Sequence, residues 1–218
     1  MLGIWRYRLV LFMPMMSGMI AGALWNNSMS LMPLPRSFYE RSPVVVAQEL
    51  LGKMLVRIVQ GNVLTAIITE TEAYCGLVDP ASHAYRGKTA RNAAMFGVVG
   101  HSYIYFIYGN HYCLNLVAHT ADEAAGGVLI RGLKPIAGIE IMQQLRQKDA
   151  IDKLTNGPGN IGQALHLSLQ HNHIDVTMHG ELYVVDGIVL NSSAIRATPR
   201  IGISKAQDKL WRFIVHTI

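Results

Sequence analysis

Residues 53–74 read KMLVRIVQGNVLTAIITETEAY. Two runs rich in Val, Ile, Leu and Thr, Lys53–Val59 and Val63–Thr69, flank Gln60-Gly61-Asn62, a pattern that predicts two antiparallel strands joined by a tight turn. The second strand can continue to Tyr74. Alternate side chains of a strand share a face, so Glu70, Glu72 and Tyr74 would lie together. One reading of that set is a solvated strand face. The other is a carboxylate beside an aromatic ring in a pocket, an environment that can raise a glutamate pKa and make it a general base.

Outward from this hairpin the chain alternates short helices and strands. Ser42-Pro43 is an N-cap followed by proline at the first helical position, and the helix should run to Leu51 and stop at Gly52. Residues 75–100 have no clear period and read as a long functional loop. That loop holds His83 and the cations Arg86, Lys88 and Arg91, which are either solvated or set to meet phosphate. Tyr103–Tyr108 carries four aromatics in six residues, Gly109-Asn110 turns the chain, and Tyr112–Val117 returns it. Such a hairpin can pack on both faces. A tyrosine at its tip, on a basic chain, also suits stacking on bases or a wedge in a duplex.

Further on, the pattern predicts a strand at Gly127–Gly132 and a helix from Pro135 to about Gln147. Gly157-Pro158-Gly159 is a turn before a helix at about Asn160–Leu167. Its backbone N–H groups would suit a phosphate, although an ordinary helix start has the same look. Glu181–Val185 and Ile188–Leu190 flank Asp186-Gly187 as a last hairpin. With no repeat and no low-complexity linker, the expectation is a single α+β domain.

Composition agrees. Of 218 residues, 50% are hydrophobic and 15% charged, enough apolar mass for one well-packed domain and too much for a disordered chain. Lys and Arg outnumber Asp and Glu by 19 to 14, so nucleic acid, an anionic membrane or an acidic substrate is admissible. The two cysteines, Cys75 and Cys113, form no CxxC pair and no disulfide framework. His171 and His173 sit in a polar stretch without a cysteine or carboxylate cluster and read as solvated loop, not as a metal site. At the N-terminus, Arg6 and Arg8 precede an apolar run from Leu9 to Trp25 that ends near Ala21-Gly22-Ala23. That is the shape of a secretory signal or short anchor. It is equally the shape of an over-long start ahead of Met29 or Met32, and the cysteine usage of a reducing compartment favours the second reading. Residues 1–31 are therefore set apart as an apolar N-terminal extension and 32–218 as the domain.

Three blocks, in this order and spacing, carry a resemblance. They are TETEAY at 69–74 with His83 eleven residues after Glu72, YIYFIYGNHYCLN at 103–115, and VLIRGLKP at 128–135; RIGI at 200–203 and WRF at 211–213 extend it. The chain resembles the methylpurine (3-methyladenine, alkyladenine) DNA glycosylase family from about Pro33 to Val215. The resemblance implies one mixed α+β domain with a curved antiparallel sheet, flanking helices and a protruding aromatic β-hairpin. It implies a monofunctional enzyme that flips an alkylated or deaminated purine out of duplex DNA and hydrolyses its N-glycosidic bond, leaving an abasic site. Glu72 matches the base that activates water, and Arg131 the arginine near that water, with the backbone carbonyl of Ile201 helping to hold it. Tyr74, His83 and Tyr105 match the walls around the flipped base, and Asn115 a residue that crowds the 2-amino group of guanine. Tyr108 matches the side chain that fills the gap in the duplex, with Met95 near it.

DNA-backbone contacts are expected from Arg86, Lys88, Arg91, Gly159 and Asn160. No metal and no cofactor is implied. The expected partner is double-stranded DNA containing damaged purines, with no membrane partner, a monomeric state and a cytoplasmic location with DNA. The chain departs from the family pattern at Ala90, Val99, Asn160 and Leu210; at Asn160 a lysine is usual, which removes one phosphate contact. Two other classes fit the residues alone: a non-catalytic nucleic-acid binder using the aromatic hairpin, and a metal-dependent nuclease built on Glu70, Glu72, Asp79 and His83.

Overall fold

A computed structural model describes residues 32–107, 109 and 111–215. The apolar extension and the hairpin-tip residue Tyr108 lie outside the described residues. Among the described residues no helix is long and apolar enough to cross a membrane.

The first hairpin forms as the sequence predicts. Strand β1 spans Met54–Val59 and β2 spans Asn62–Tyr74. Asn62 pairs with Val59, so the loop is the dipeptide Gln60-Gly61, with φ of 49° and 80°. Positive φ at both central residues is the type I′ geometry that follows the twist of a hairpin.

β2 is the axis of the fold. One of its edges pairs with β5 (Gly127–Ala137) from Thr65 to Tyr74. Its other edge pairs first with β1 and then, at Glu70–Glu72, with β8 (Arg212–Val215). With β3 (Ser102–Ile107), β4 (His111–Val117), β6 (Leu182–Val185) and β7 (Ile195–Thr198), the antiparallel sheet runs β3-β4-β5-β2-β1-β6, and β7 is joined through β8. The β2–β5 register shifts three times: Ile136 and Arg131 are unpaired on β5, and Thr69 is unpaired on β2. Bulges of this kind re-aim side chains and bend a strand.

Helices cover the sheet, so the α+β class holds. Helix α1 is Arg36–Tyr39 and α2 is Pro43–Glu49; α3 is Ile139–Arg146 and α4 is Pro158–Ala164. α2 buries Val46 and Ala47, and the Thr71 hydroxyl donates to the Ala47 carbonyl at 2.7 Å. Thr71 and Ala73 therefore face α2, and Glu70, Glu72 and Tyr74 face away from it. Pro43 stands at the first helical position as expected, but the Ser42 side chain makes no capping bond. α4 approaches the β3–β4 hairpin so closely that a Cβ on Gly162 would stand 2.0 Å from the Tyr112 carbonyl oxygen. Only glycine permits that contact.

Three expectations are corrected. Pro135 does not open a helix: β5 continues through it to Ala137, Gly138 turns the chain at φ 72°, and α3 starts at Ile139. Pro135 lies beside a register shift and beyond the stretch that β4 flanks, where a missing N–H is tolerated. Asp186-Gly187 does not close a hairpin. β6 pairs with β1, and residues 188–190 form no strand, with Val189 99% exposed. His171 is not solvated. It is buried, its Nδ1 caps the Ser168 N–H at 2.9 Å, and its Nε2 lies 2.6 Å from the Arg57 guanidinium; His173 is exposed. The cysteines are both free and buried.

Candidate active site

The far end of β2 carries the chemistry. Glu72 is fully buried, a position that an ionised carboxylate holds only when it is well hydrogen-bonded. Three donors reach it. The Ile201 N–H donates to Oε1 at 2.7 Å, the Tyr74 hydroxyl donates to Oε2 at 2.8 Å, and Arg131 Nη1 donates to Oε2 at 3.4 Å. A carboxylate offers about four lone-pair sites. Among the described residues Oε1 takes a single donor, which leaves it one further site.

Each donor is placed by a distant part of the chain. Tyr74 comes from the same strand face, two residues on. Arg131 comes from the bulge of β5, where Gly132 is required because a Cβ there would lie 2.9 Å from the Glu70 side chain. Ile201 comes from the segment after β7, and its contact with Glu72 is made through the N–H. Glu70 has other partners: Arg131 Nε donates to its Oε1 at 3.1 Å and Arg212 Nε at 2.5 Å. Two guanidiniums thus hold Glu70, and Glu72 shares only Arg131 with it.

A cleft of about 680 Å³ opens over this cluster. Tyr74, Arg131 and Ile201 line it and stand between Glu72 and the open space. The loop after β2 supplies His83 and Arg86, and the β3–β4 hairpin supplies Tyr103, Tyr105, Cys113 and Asn115. The His83 ring meets Tyr105 edge-on at 4.6 Å, and its Nδ1 lies 3.0 Å from the Tyr103 hydroxyl. Desolvation, with the Arg91 charge second, holds His83 below the ordinary histidine pKa, which favours a neutral ring. Burial pushes the Tyr103 hydroxyl up to about 12 and raises Tyr105 further. The aromatic side of the cleft therefore keeps its phenols protonated at neutral pH, and the cations Arg86, Arg131 and Lys205 stand elsewhere in the lining. Asn115 is buried at the cleft wall and its amide donates to the Tyr103 carbonyl at 3.1 Å.

The structure brings together Arg131, Tyr74, His83, Tyr105, Asn115 and Ile201 around the cleft, with Arg86, Gly159 and Asn160 at its rim, and sets Glu72 behind Arg131, Tyr74 and Ile201, which bond to it. Met95 also lines it, but from within the core, 3% exposed. Lys88 does not line the cleft. Arg91 is exposed and donates to the Phe106 carbonyl at 3.1 Å, tying the loop to the hairpin. The Asn160 amide donates to Asn156. The four residues of the nuclease reading do not assemble: Asp79 is taken by Arg200 and Glu70 by Arg131 and Arg212. Among the described residues no group of three or more His, Cys, Asp or Glu could hold a metal ion.

Sequence reasoning missed Tyr103 as a partner of His83, and His111, Tyr85 and Lys205 as cleft-lining residues. His111 was within reach, since alternation back from Asn115 through Cys113 arrives at it. Lys205 and Tyr85 sit on loops, where no period marks a direction.

Residues 37–217 match the sequence profile of the family described as Methylpurine-DNA glycosylase (MPG). Relatives of similar length agree. A protein of Koribacter versatilis is 44% identical over 85% of this chain and 90% of its own. One of Carboxydothermus hydrogenoformans is 45% identical over 84% and 94%, and one of Methanocella arvoryzae 47% identical over 83% and 90%. Each is provisionally named a 3-methyladenine DNA glycosylase. With a profile match over nearly all of the described chain and a buried, donor-held carboxylate at its cleft, this chain belongs to the methylpurine-DNA glycosylase family, hydrolases that act on N-glycosyl bonds.

Proposed function

We propose that this protein extrudes an alkylated or deaminated purine from duplex DNA into the aromatic cleft and hydrolyses its bond to deoxyribose, leaving free base and an abasic site. The observation that carries this reading is Glu72: fully buried directly behind the cleft-lining Ile201, Tyr74 and Arg131, and hydrogen-bonded by all three. A base inside a duplex is out of reach, so it must leave the stack at a cost of a few kcal/mol. Tyr74, His83 and Tyr105 offer aromatic faces and edges that offset part of that cost. An alkylated purine bearing positive charge gains more from such walls than a neutral one. Glu72 takes a proton from a water as it attacks C1′, and its charge stabilises the oxocarbenium character that develops there. Arg131 orients the carboxylate and that water. Tyr108 fills the gap left in the duplex.

Asn115 crowds the 2-amino group of guanine. Arg86, Lys88, Arg91, Gly159 and Asn160 meet the DNA backbone, and the enzyme works as a monomer on double-stranded DNA. Mass spectrometry of bases released from methylated and inosine-containing duplexes tests this reading. Free purine should appear with the parent enzyme and fall by about 10²–10⁴-fold with Glu72→Gln. Substantial release by that variant would remove Glu72 from the role.

A further inference from the structure

Two of the three donors to Glu72 are carried by residues that one internal ion pair holds. Arg200 donates from Nη1 to Asp79 Oδ2 at 2.5 Å and from Nη2 to Oδ1 at 2.8 Å, and both side chains are 0% exposed. Asp79 also accepts the N–H of Cys75 at 3.2 Å and of Ala81 at 3.1 Å, which fills its four lone-pair sites. A buried pair of this kind is weak grounds for stability, because desolvating both charges offsets most of their attraction. What the pair touches matters more. Arg200 Nη1 donates to the carbonyl of Ala73, the residue between Glu72 and Tyr74, at 2.9 Å. The guanidinium lies over the Tyr74 ring at 4.7 Å and faces Trp211 at 5.1 Å. The next residue in the chain is Ile201, whose N–H meets Glu72.

We propose that Arg200 and Asp79 are a positioning pair for the reaction, locking the Ile201 N–H and the Tyr74 hydroxyl onto Glu72 so that its free lone pair points at the attacking water. The inference rests on the reading of Glu72 as the base. A planar, bidentate, stacked guanidinium fixes three elements at one point: the end of β2, the loop through Asp79 and the segment through Ile201. A lysine ammonium could keep the charge but not the fork or the stacking.

The test uses the full chain under single-turnover conditions on a duplex with one hypoxanthine. Rate constant and amplitude are read separately, alongside affinity for a duplex carrying a tetrahydrofuran abasic analogue. Arg200→Lys and Asp79→Asn should lower the rate constant by more than about fivefold and up to about 100-fold, with amplitude and affinity kept, because misplacement of a reacting group acts on the chemical step. A pair that only stabilises the fold would reduce the melting temperature and the amplitude and leave the rate constant of the folded fraction unchanged. A fall of less than about fivefold in both variants overturns the proposal. If Arg200→Lys does not fold, Trp211→Phe, which alters only the ring facing the guanidinium, takes its place with the same criterion. Glu72→Gln is run in parallel. If it keeps the parent rate, the base assignment has failed, whatever the Arg200 variants do.

Discussion

The Tyr74 hydroxyl donates to Glu72 Oε2 at 2.8 Å across two residues of a single strand face. Burial first, and the Glu72 charge second, raise the Tyr74 pKa far above its ordinary value, so the proton stays on the phenol and the bond keeps one direction. Tyr74→Phe removes that donor and leaves the ring. The expected cost is about 1.5–3 kcal/mol, the range for a hydrogen bond to a charged partner. Urea denaturation at neutral pH measures it. An unchanged midpoint would mean that the bond contributes nothing net.

The role proposed for Asn115 is discrimination among purines. Its amide already satisfies the Tyr103 carbonyl, so the side chain is fixed in place at the cleft wall. Asn115→Ser should open space and raise excision of undamaged guanine relative to hypoxanthine. The ratio of single-turnover rates in otherwise identical duplexes reads this directly. A parallel loss on both bases, with a lower melting temperature, would assign Asn115 to folding alone.

Stability should fall on mild acidification. Burial, and next the Arg57 guanidinium, hold His171 below the ordinary histidine range, and His83 is lowered in the same direction by desolvation. A histidine whose folded pKa is depressed takes up its proton more readily in the unfolded chain, whose value is about 6.5. Its contribution is therefore complete above about pH 6.5 and is lost as the pH falls through the folded value. Urea midpoints at pH 8, 7, 6 and 5 should hold level at first and then drop. His171→Gln should flatten part of the drop. A midpoint that rises toward pH 5 would contradict the assignment.

Gly162 tests how α4 is seated. A methyl group there meets the Tyr112 carbonyl at 2.0 Å, so Gly162→Ala must push α4 off the hairpin. The expected loss is about 1–3 kcal/mol or more, as for other overpacked sites. Gly180→Ala is the control, since nothing lies within 4 Å of its Cβ position and its φ is not positive. Thermal melts of the two variants should separate clearly; equal melts would show that α4 can shift at little cost.

The sequence by itself determined the local pieces. Alternation along residues 62–74 placed Glu70, Glu72 and Tyr74 on one face, and Gln60-Gly61-Asn62 marked the turn, which the structure narrows to Gln60-Gly61, because strand period and turn chemistry are properties of neighbouring residues. The same holds for the aromatic strand Ser102–Ile107 and for Pro43 at the start of α2. Only the tertiary structure decided which pieces meet. β6 pairs with β1 instead of with residues 188–190, and β5 runs through Pro135 because β2 flanks it there. Glu72 meets Ile201 across 129 positions of sequence, and Asp79 meets Arg200 across 121. Even Asp79, which beside Glu70 and Glu72 read as a metal ligand, is spent on an internal arginine. Periodicity reports which face a residue takes and is silent about what will cover that face. The partner is chosen by the packing of the whole sheet and by the need of each buried charge for a donor.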